Sequence, residues 1–162
     1  MNNFLIFWAL KVNEIFDNTF LIVLCVLIFA LFFMMRKNYF LFSVLSVFVA
    51  ETLIFSLKNI FQVARPDNPL IEVSGYAMPS GHAGNSFLIS TLLTFYVFKT
   101  KLKKPLKILL ATIFNIVALT ISASRIILGV HTITQVIAGA LVGIFVPIVV
   151  LQIMKFKKHK VA

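Results

Sequence analysis

The chain has 162 residues, of which 60% are hydrophobic and 18 are Phe, against 5 acidic and 15 basic residues. A soluble domain of this size has too few charges to cover so much apolar surface, so the composition excludes an ordinary globular protein and implies one embedded in a membrane. The net charge of +10 does not point to nucleic acid, because the lysines bunch in short segments beside apolar runs, the pattern of membrane topology and of contact with anionic lipid.

The first element is "MNNFLIFWALKVNEIFDN". It has no basic n-region and no small-residue cleavage site, so it does not read as a signal peptide. Phe4, Leu5, Trp8, Val12, Ile15 and Phe16 recur at helical spacing, with Lys11, Glu14 and Asp17 opposite, which predicts an amphipathic helix lying in the membrane interface. Five apolar runs follow, at about 19–35, 39–60, 80–98, 108–129 and 131–153, each close to the roughly 20 residues a crossing requires. The expected fold is therefore all-α: an integral membrane bundle of about five transmembrane helices plus the interfacial helix, forming one membrane-embedded domain over residues 1–162. The lone Cys25 lies in the first run and reads as a small apolar residue, leaving no disulfide and no cysteine metal site. Gly139 and Gly143 form a GxxxG pattern in the last run, expected to pack that helix within the bundle.

Five crossings put the connecting segments on alternate sides. Arg36, Lys37, the loop "KTKLKKPLK" (99–107) and the tail "KFKKHK" (155–160) fall on one side, holding 11 of the 15 Lys and Arg residues and no acid. The positive-inside rule places that side in the cytoplasm. The loop 61–79 and the turn 129–131 then face outward.

Polar groups within or at the ends of spans are costly and usually mark function. Here they gather at the outward face. Lys58 ends the second run, and Arg65-Pro66 follows after six residues; Pro79-Ser80-Gly81-His82 opens the third; Ser124-Arg125 ends the fourth; His131 opens the fifth. Lys58, Arg65 and Arg125 are three fixed cations, and guanidinium forks suit phosphate oxygens. Ser80 is a good N-cap, Gly81 permits close approach to the backbone, and the free amides at a helix start favour an anion. His82 and His131 beside such a cradle suggest chemistry as well as binding, one attacking phosphorus and the other protonating the leaving oxygen. The outward face has no carboxylate cluster of the kind Mg²⁺ sites use, so neither a metal nor another cofactor is expected.

Lys58-(six residues)-Arg65-Pro66, Pro79-Ser80-Gly81-His82 and Ser124-Arg125-(five residues)-His131 together resemble the three-part signature of the type 2 phosphatidic acid phosphatase, or lipid phosphate phosphatase, superfamily. The resemblance covers residues 58 to about 143. It implies that His131 forms a phosphohistidine, that His82 is the acid toward the leaving group, and that Lys58, Arg65, Ser80, Gly81, Ser124 and Arg125 make up the phosphate cradle. The common family pattern has an aspartate four residues after the nucleophile, where this chain has Gln135. One helical turn along, Gln135 can still reach His131 and fix its tautomer, but it supplies no negative charge. The segment "HTITQVIAG" is similar to a subgroup that includes dolichyl-diphosphatases and some plastid lipid phosphate phosphatases, which favours a polyprenyl diphosphate such as undecaprenyl diphosphate. Phosphatidylglycerophosphate, phosphatidate and lipid A 1-phosphate are the other substrates the resemblance implies, in a bacterial inner membrane with the site facing outward. The expected partners are thus a phospholipid or polyprenyl phosphate substrate and membrane lipids, with no nucleic acid. A phosphate-lipid binder or scaffold that kept the cradle and lost the chemistry is the alternative; vanadate-dependent halide oxidation, found in soluble relatives, fits a membrane composition poorly. Glu51 stands about 10 Å from Lys58 along its helix. It is expected to hydrogen-bond a neighbouring span or, alternatively, to tune Gln135 or His131. In the loop 61–79, Pro69, Leu70, Ile71 and Tyr76 are candidates for shaping head-group choice.

Overall fold

The structure, a computed structural model, describes residues 2–16 and 37–160. Among these, all regular structure is helical: α1 (Asn3–Ile15), α2 (Lys37–Phe61), α3 (Gly81–Lys99), α4 (Lys104–Ile127) and α5 (Ile133–Lys160). Three of them are long and apolar enough to cross a membrane, over Tyr39–Phe61, Lys104–Ile127 and Ile133–Met154. The expected run at 19–35, with Cys25, lies outside the described residues.

Asn2 starts α1 by accepting the Phe4 amide at 3.1 Å, which satisfies one of the free amides of a helix start. The stripe expected on this helix is divided. Val12 is buried together with Ala9, whereas Phe4, Leu5 and Ile15 are exposed. The helix packs on α4, and Ala9 and Trp8 close over Ile127, Leu128 and Val130. Among the described residues, the side of α1 that carries Ala9 and Val12 is the one buried against protein, and Phe4, Leu5, Phe7 and Ile15 stay exposed.

In α2 three hydroxyl side chains turn back onto their own helix. Ser43, Ser46 and Thr52 donate to the carbonyls of Tyr39, Phe42 and Phe48 at 3.1, 2.7 and 2.7 Å, which satisfies these three hydroxyls. Tyr96 of α3 donates to the Tyr39 carbonyl at 2.7 Å, closing the end of the bundle where Phe42, Leu92, Tyr96, Val146 and Val150 form the core.

The central element is α3, packed against α5 and α4 and more lightly against α2. Two glycines explain its closeness to α5. A Cβ added at Gly139 would strike the Ser80 carbonyl oxygen, and one added at Gly143 would strike the Gly84 carbonyl oxygen. The two helices therefore meet backbone to backbone, and the GxxxG pattern packs within the chain as expected. The Ser80 amide donates to the Gln135 carbonyl at 3.0 Å across the same contact. This tie brings the start of α3 beside the start of α5.

The fourth and fifth runs begin and end differently from expectation. α4 starts at Lys104, four residues early, because Pro105 is suited to a first turn and the lysines there extend to solvent. It ends at Ile127 through a turn in which Gly129 has φ of 69°. His131 does not open α5. The amides of Val130 and His131 both donate to the Arg125 carbonyl, at 3.2 and 3.3 Å, and hold these residues to the end of α4. Thr132 Oγ1 then accepts the Gln135 amide at 3.4 Å, so the helix begins at Ile133.

Candidate functional site

The expected residues converge from five places. Lys58 lies in the last turn of α2, Arg65 in the following loop, Gly81 and His82 in the first turn of α3, Arg125 in the last turn of α4, and His131 between α4 and α5. All six line one cavity of about 400 Å³, together with Glu72, Val73, Ser74, Asn85 and Val130.

His131 is 5% exposed and Gln135 4%. Gln135 Oε1 accepts from the Thr132 amide at 3.0 Å, and a backbone N–H can donate only to the oxygen end of the side-chain amide. The orientation of Gln135 is thereby fixed. His131 Nδ1 lies 3.2 Å from that same Oε1, so Nδ1 carries the ring proton and Nε2 keeps its lone pair. Burial holds the His131 imidazole below the usual histidine range; the Gln135 bond opposes this, and the charges of Arg65, Lys58 and Arg125 add to it. Burial and the neighbouring cations both favour the neutral ring, with the Nε2 lone pair on the side of Arg65 Nη1.

Arg65 is held by carbonyls. Its Nε donates to Gly75 at 3.0 Å, Nη2 to Ser74 at 2.8 Å and Nη1 to Val130 at 3.2 Å, while Nη1 also lies 3.4 Å from His131 Nε2. Lys58 Nζ donates to the Tyr76 carbonyl at 2.6 Å. Two cations read from the sequence as phosphate ligands thus also anchor the segment 74–76. Gly75, at φ of 75°, permits the turn that presents these carbonyls.

Two expected cradle residues do not line the cavity. Ser124 is fully buried; its hydroxyl donates to the Ile121 carbonyl at 2.7 Å and accepts from Arg125 Nε at 3.3 Å. Ser80 occupies the N-cap of α3, but its hydroxyl makes no capping bond and is buried without a partner among the described residues. Glu51 is exposed on α2 beside Asn85 of the neighbouring α3, and among the described residues no hydrogen bond joins it to Gln135 or His131. Asn85, three residues from His82 on the same helix face, was legible from that spacing and was missed. Glu72 and Ser74 reach the cavity through a loop whose path has no sequence signal. Of the loop residues expected to shape head-group choice, Leu70 donates its amide to the Leu128 carbonyl at 2.9 Å and Tyr76 supplies the carbonyl to Lys58, so both act here through backbone. Among the described residues, no group of three or more His, Cys, Asp or Glu could hold a metal ion.

The chain belongs to the PAP2 superfamily, whose pattern matches residues 37–159. This membership and the three long apolar helices make it an integral membrane protein. Phosphatidylglycerophosphatase B of Bacillus subtilis (strain 168) is 32% identical over 134 residues, covering 78% of this chain; the chain spans 64% of that relative's length. Among solved structures, the chain is similar to the transmembrane PAP2-type phosphatidylglycerolphosphate phosphatase from Bacillus subtilis, with a TM-score of 0.80 and 26% identity over 96% of this chain and 79% of that one. It is also similar to LpxE of Aquifex aeolicus, with a TM-score of 0.73 and 25% identity over 94% of this chain and 88% of that one.

Proposed function

We propose that this chain, as one membrane-embedded domain, is a lipid phosphatase that hydrolyses a lipid mono- or diphosphate through a phosphohistidine. The observation that carries the reading is the pairing of His131 with Gln135. It leaves Nε2 unprotonated, 3.4 Å from Arg65 Nη1, at a cavity that also holds His82 and three cations. In the first step Nε2 attacks phosphorus while the bond to the lipid oxygen breaks, and His82 donates its proton to that oxygen. In the second, water attacks the phosphohistidine, the N–P bond breaks, and His82 takes the proton that water releases. Lys58, Arg65, Arg125 and the Gly81 backbone stabilise the phosphoryl oxygens. Ser80 and Ser124 support the cradle from beneath.

The lysine-rich segments favour an arrangement of about five spans with the cavity facing away from the cytoplasm of a bacterial inner membrane, and the exposed Phe4 and Phe7 of α1 favour its lying in the interface. The similarity to a phosphatidylglycerophosphatase supports phosphatidylglycerophosphate as substrate, and the His-Thr-x-x-Gln segment supports a polyprenyl diphosphate.

The test is inorganic phosphate release by detergent-purified protein in EDTA, from phosphatidylglycerophosphate, undecaprenyl diphosphate, phosphatidate and lipid A 1-phosphate, with His131→Ala alongside. Release that persists in EDTA and is lost in the variant is the expected result. Equal release by His131→Ala overturns the mechanism, and no release from any of the four overturns the function.

A further inference from the structure

Arg125 is 2% exposed, lines the cavity and has no carboxylate partner among the described residues. A buried cation of this kind needs something to fix it. Its Nε donates to Ser124 Oγ at 3.3 Å, and its Nη2 donates to Asn13 Oδ1 at 2.8 Å. The second bond is the better made. It joins residues 112 apart in sequence and comes from α1, which lies outside the 37–159 family match. A guanidinium has five N–H donors, so three remain without an acceptor among the described residues.

We propose that Asn13 is a positioning residue for the phosphate site: it holds the Arg125 guanidinium in place from α1, so that the remaining donors are preset for phosphoryl oxygens. The inference rests on the reading of the cavity as a phosphate site. The chemistry of the side chain is suited to this role. An amide oxygen fixes a guanidinium without a charge of its own, so the full positive charge of Arg125 stays available to an anion. An aspartate would hold the arginine more strongly and would offset that charge. The placement of α1 supports the same role. Ala9 and Trp8, one helical turn before Asn13, pack on Ile127, Leu128 and Val130, the segment joining Arg125 to His131. The N-terminal helix therefore braces both the arginine and the turn that carries the histidine.

The experiment compares Asn13→Leu, Asn13→Asp, Trp8→Ala and Arg125→Ala in purified protein. The readouts are the inhibition constant of inorganic phosphate, kcat and KM on phosphatidylglycerophosphate, and the thermal midpoint. Asn13→Leu is expected to weaken phosphate binding and lower kcat/KM about tenfold, as for loss of one hydrogen bond to a charged group. Asn13→Asp is expected to weaken phosphate binding while keeping or raising the thermal midpoint, a combination a merely structural residue does not produce. Trp8→Ala loosens the packing of α1 on Ile127, Leu128 and Val130 but keeps the Asn13 amide, and is expected to lower the midpoint most while weakening phosphate binding less than Asn13→Leu. A wild-type phosphate constant in either Asn13 variant overturns the proposal. If Asn13→Leu does not fold, Asn13→Asp decides alone. Unchanged phosphate binding and turnover in Arg125→Ala would instead overturn the reading of the cavity itself, whereas loss in Arg125→Ala with retention in the Asn13 variants removes only the role of Asn13.

Discussion

Replacing Gln135 by Glu tests the link between the buried pair and the proposed chemistry with almost no change of shape. Oε1 now accepts from His131 Nδ1 at 3.2 Å and from the Thr132 amide at 3.0 Å, and Gln135 is 4% exposed. A glutamate of the same length accepts both bonds and adds one negative charge beside the imidazole. An opposite charge at such a distance raises a histidine pKa by about 1–3 units, and each unit is worth about 1.4 kcal/mol. The sign follows from the starting point. Burial holds His131 below its ordinary range, so in the wild type the neutral, nucleophilic form persists as pH falls, and the acid limb of kcat/KM lies below about pH 6.5. In Gln135→Glu that limb moves upward by about 1–3 pH units, because the imidazolium is now stabilised. The same charge stabilises the cationic ring that forms on attack at phosphorus, so the plateau above the limb rises. The assay is phosphate release across pH 4.5–9 at substrate concentrations well below KM, with Gln135→Leu as the uncharged comparison. An acid limb that stays within about 0.3 units of wild type would show that His131 is not the titrating nucleophile.

Further outcomes follow from the same contacts. Gly143→Ala forces a methyl onto the Gly84 carbonyl oxygen and should destabilise the fold by about 1–3 kcal/mol, read as a lower thermal midpoint in detergent. Arg65→Lys keeps the charge but loses the fork that reaches Ser74, Gly75 and Val130 together, and should lower kcat/KM by about 10²-fold in the phosphate-release assay. Glu51→Gln keeps the size of the side chain beside Asn85 and touches neither His131 nor Gln135, so its pH profile should overlay that of the wild type.

The meeting of Lys58, Arg65, Gly81, His82, Arg125 and His131 at one cavity was legible because its parts are short and local: a cation at a helix end, a Pro-Ser-Gly-His helix entry, an arginine six residues before a histidine. Gln135 was placed correctly by the geometry of one helical turn. What could not be read is what depends on tertiary path. Asn13 meets Arg125 across 112 residues, and the carbonyls that hold Lys58 and Arg65 belong to an irregular loop with no period. The α1 stripe marks an apolar face without saying how much of it protein will cover, so its partial burial had no sequence signal. Ser80 and Ser124 misled for a related reason: a position in a motif gives proximity to the site, whereas which way a hydroxyl turns is settled by its own helix, as the Ser124 bond to Ile121 shows.

The carbonyl bonds of Lys58 and Arg65 mean that two of the cavity's three cations are engaged by backbone dipoles. On the Lys58 and Arg65 side an arriving anion competes with the dipoles of Ser74, Gly75 and Tyr76, whereas Arg125 keeps donors to spare. Such a site works as an ion exchanger with a threshold. A monovalent halide presents a single charge and replaces these directed bonds poorly, while a phosphoryl group presents several oxygens at once and can take over several donors in one event. On the proposed reading, selection against small monovalent anions comes from the strength of the resident bonds.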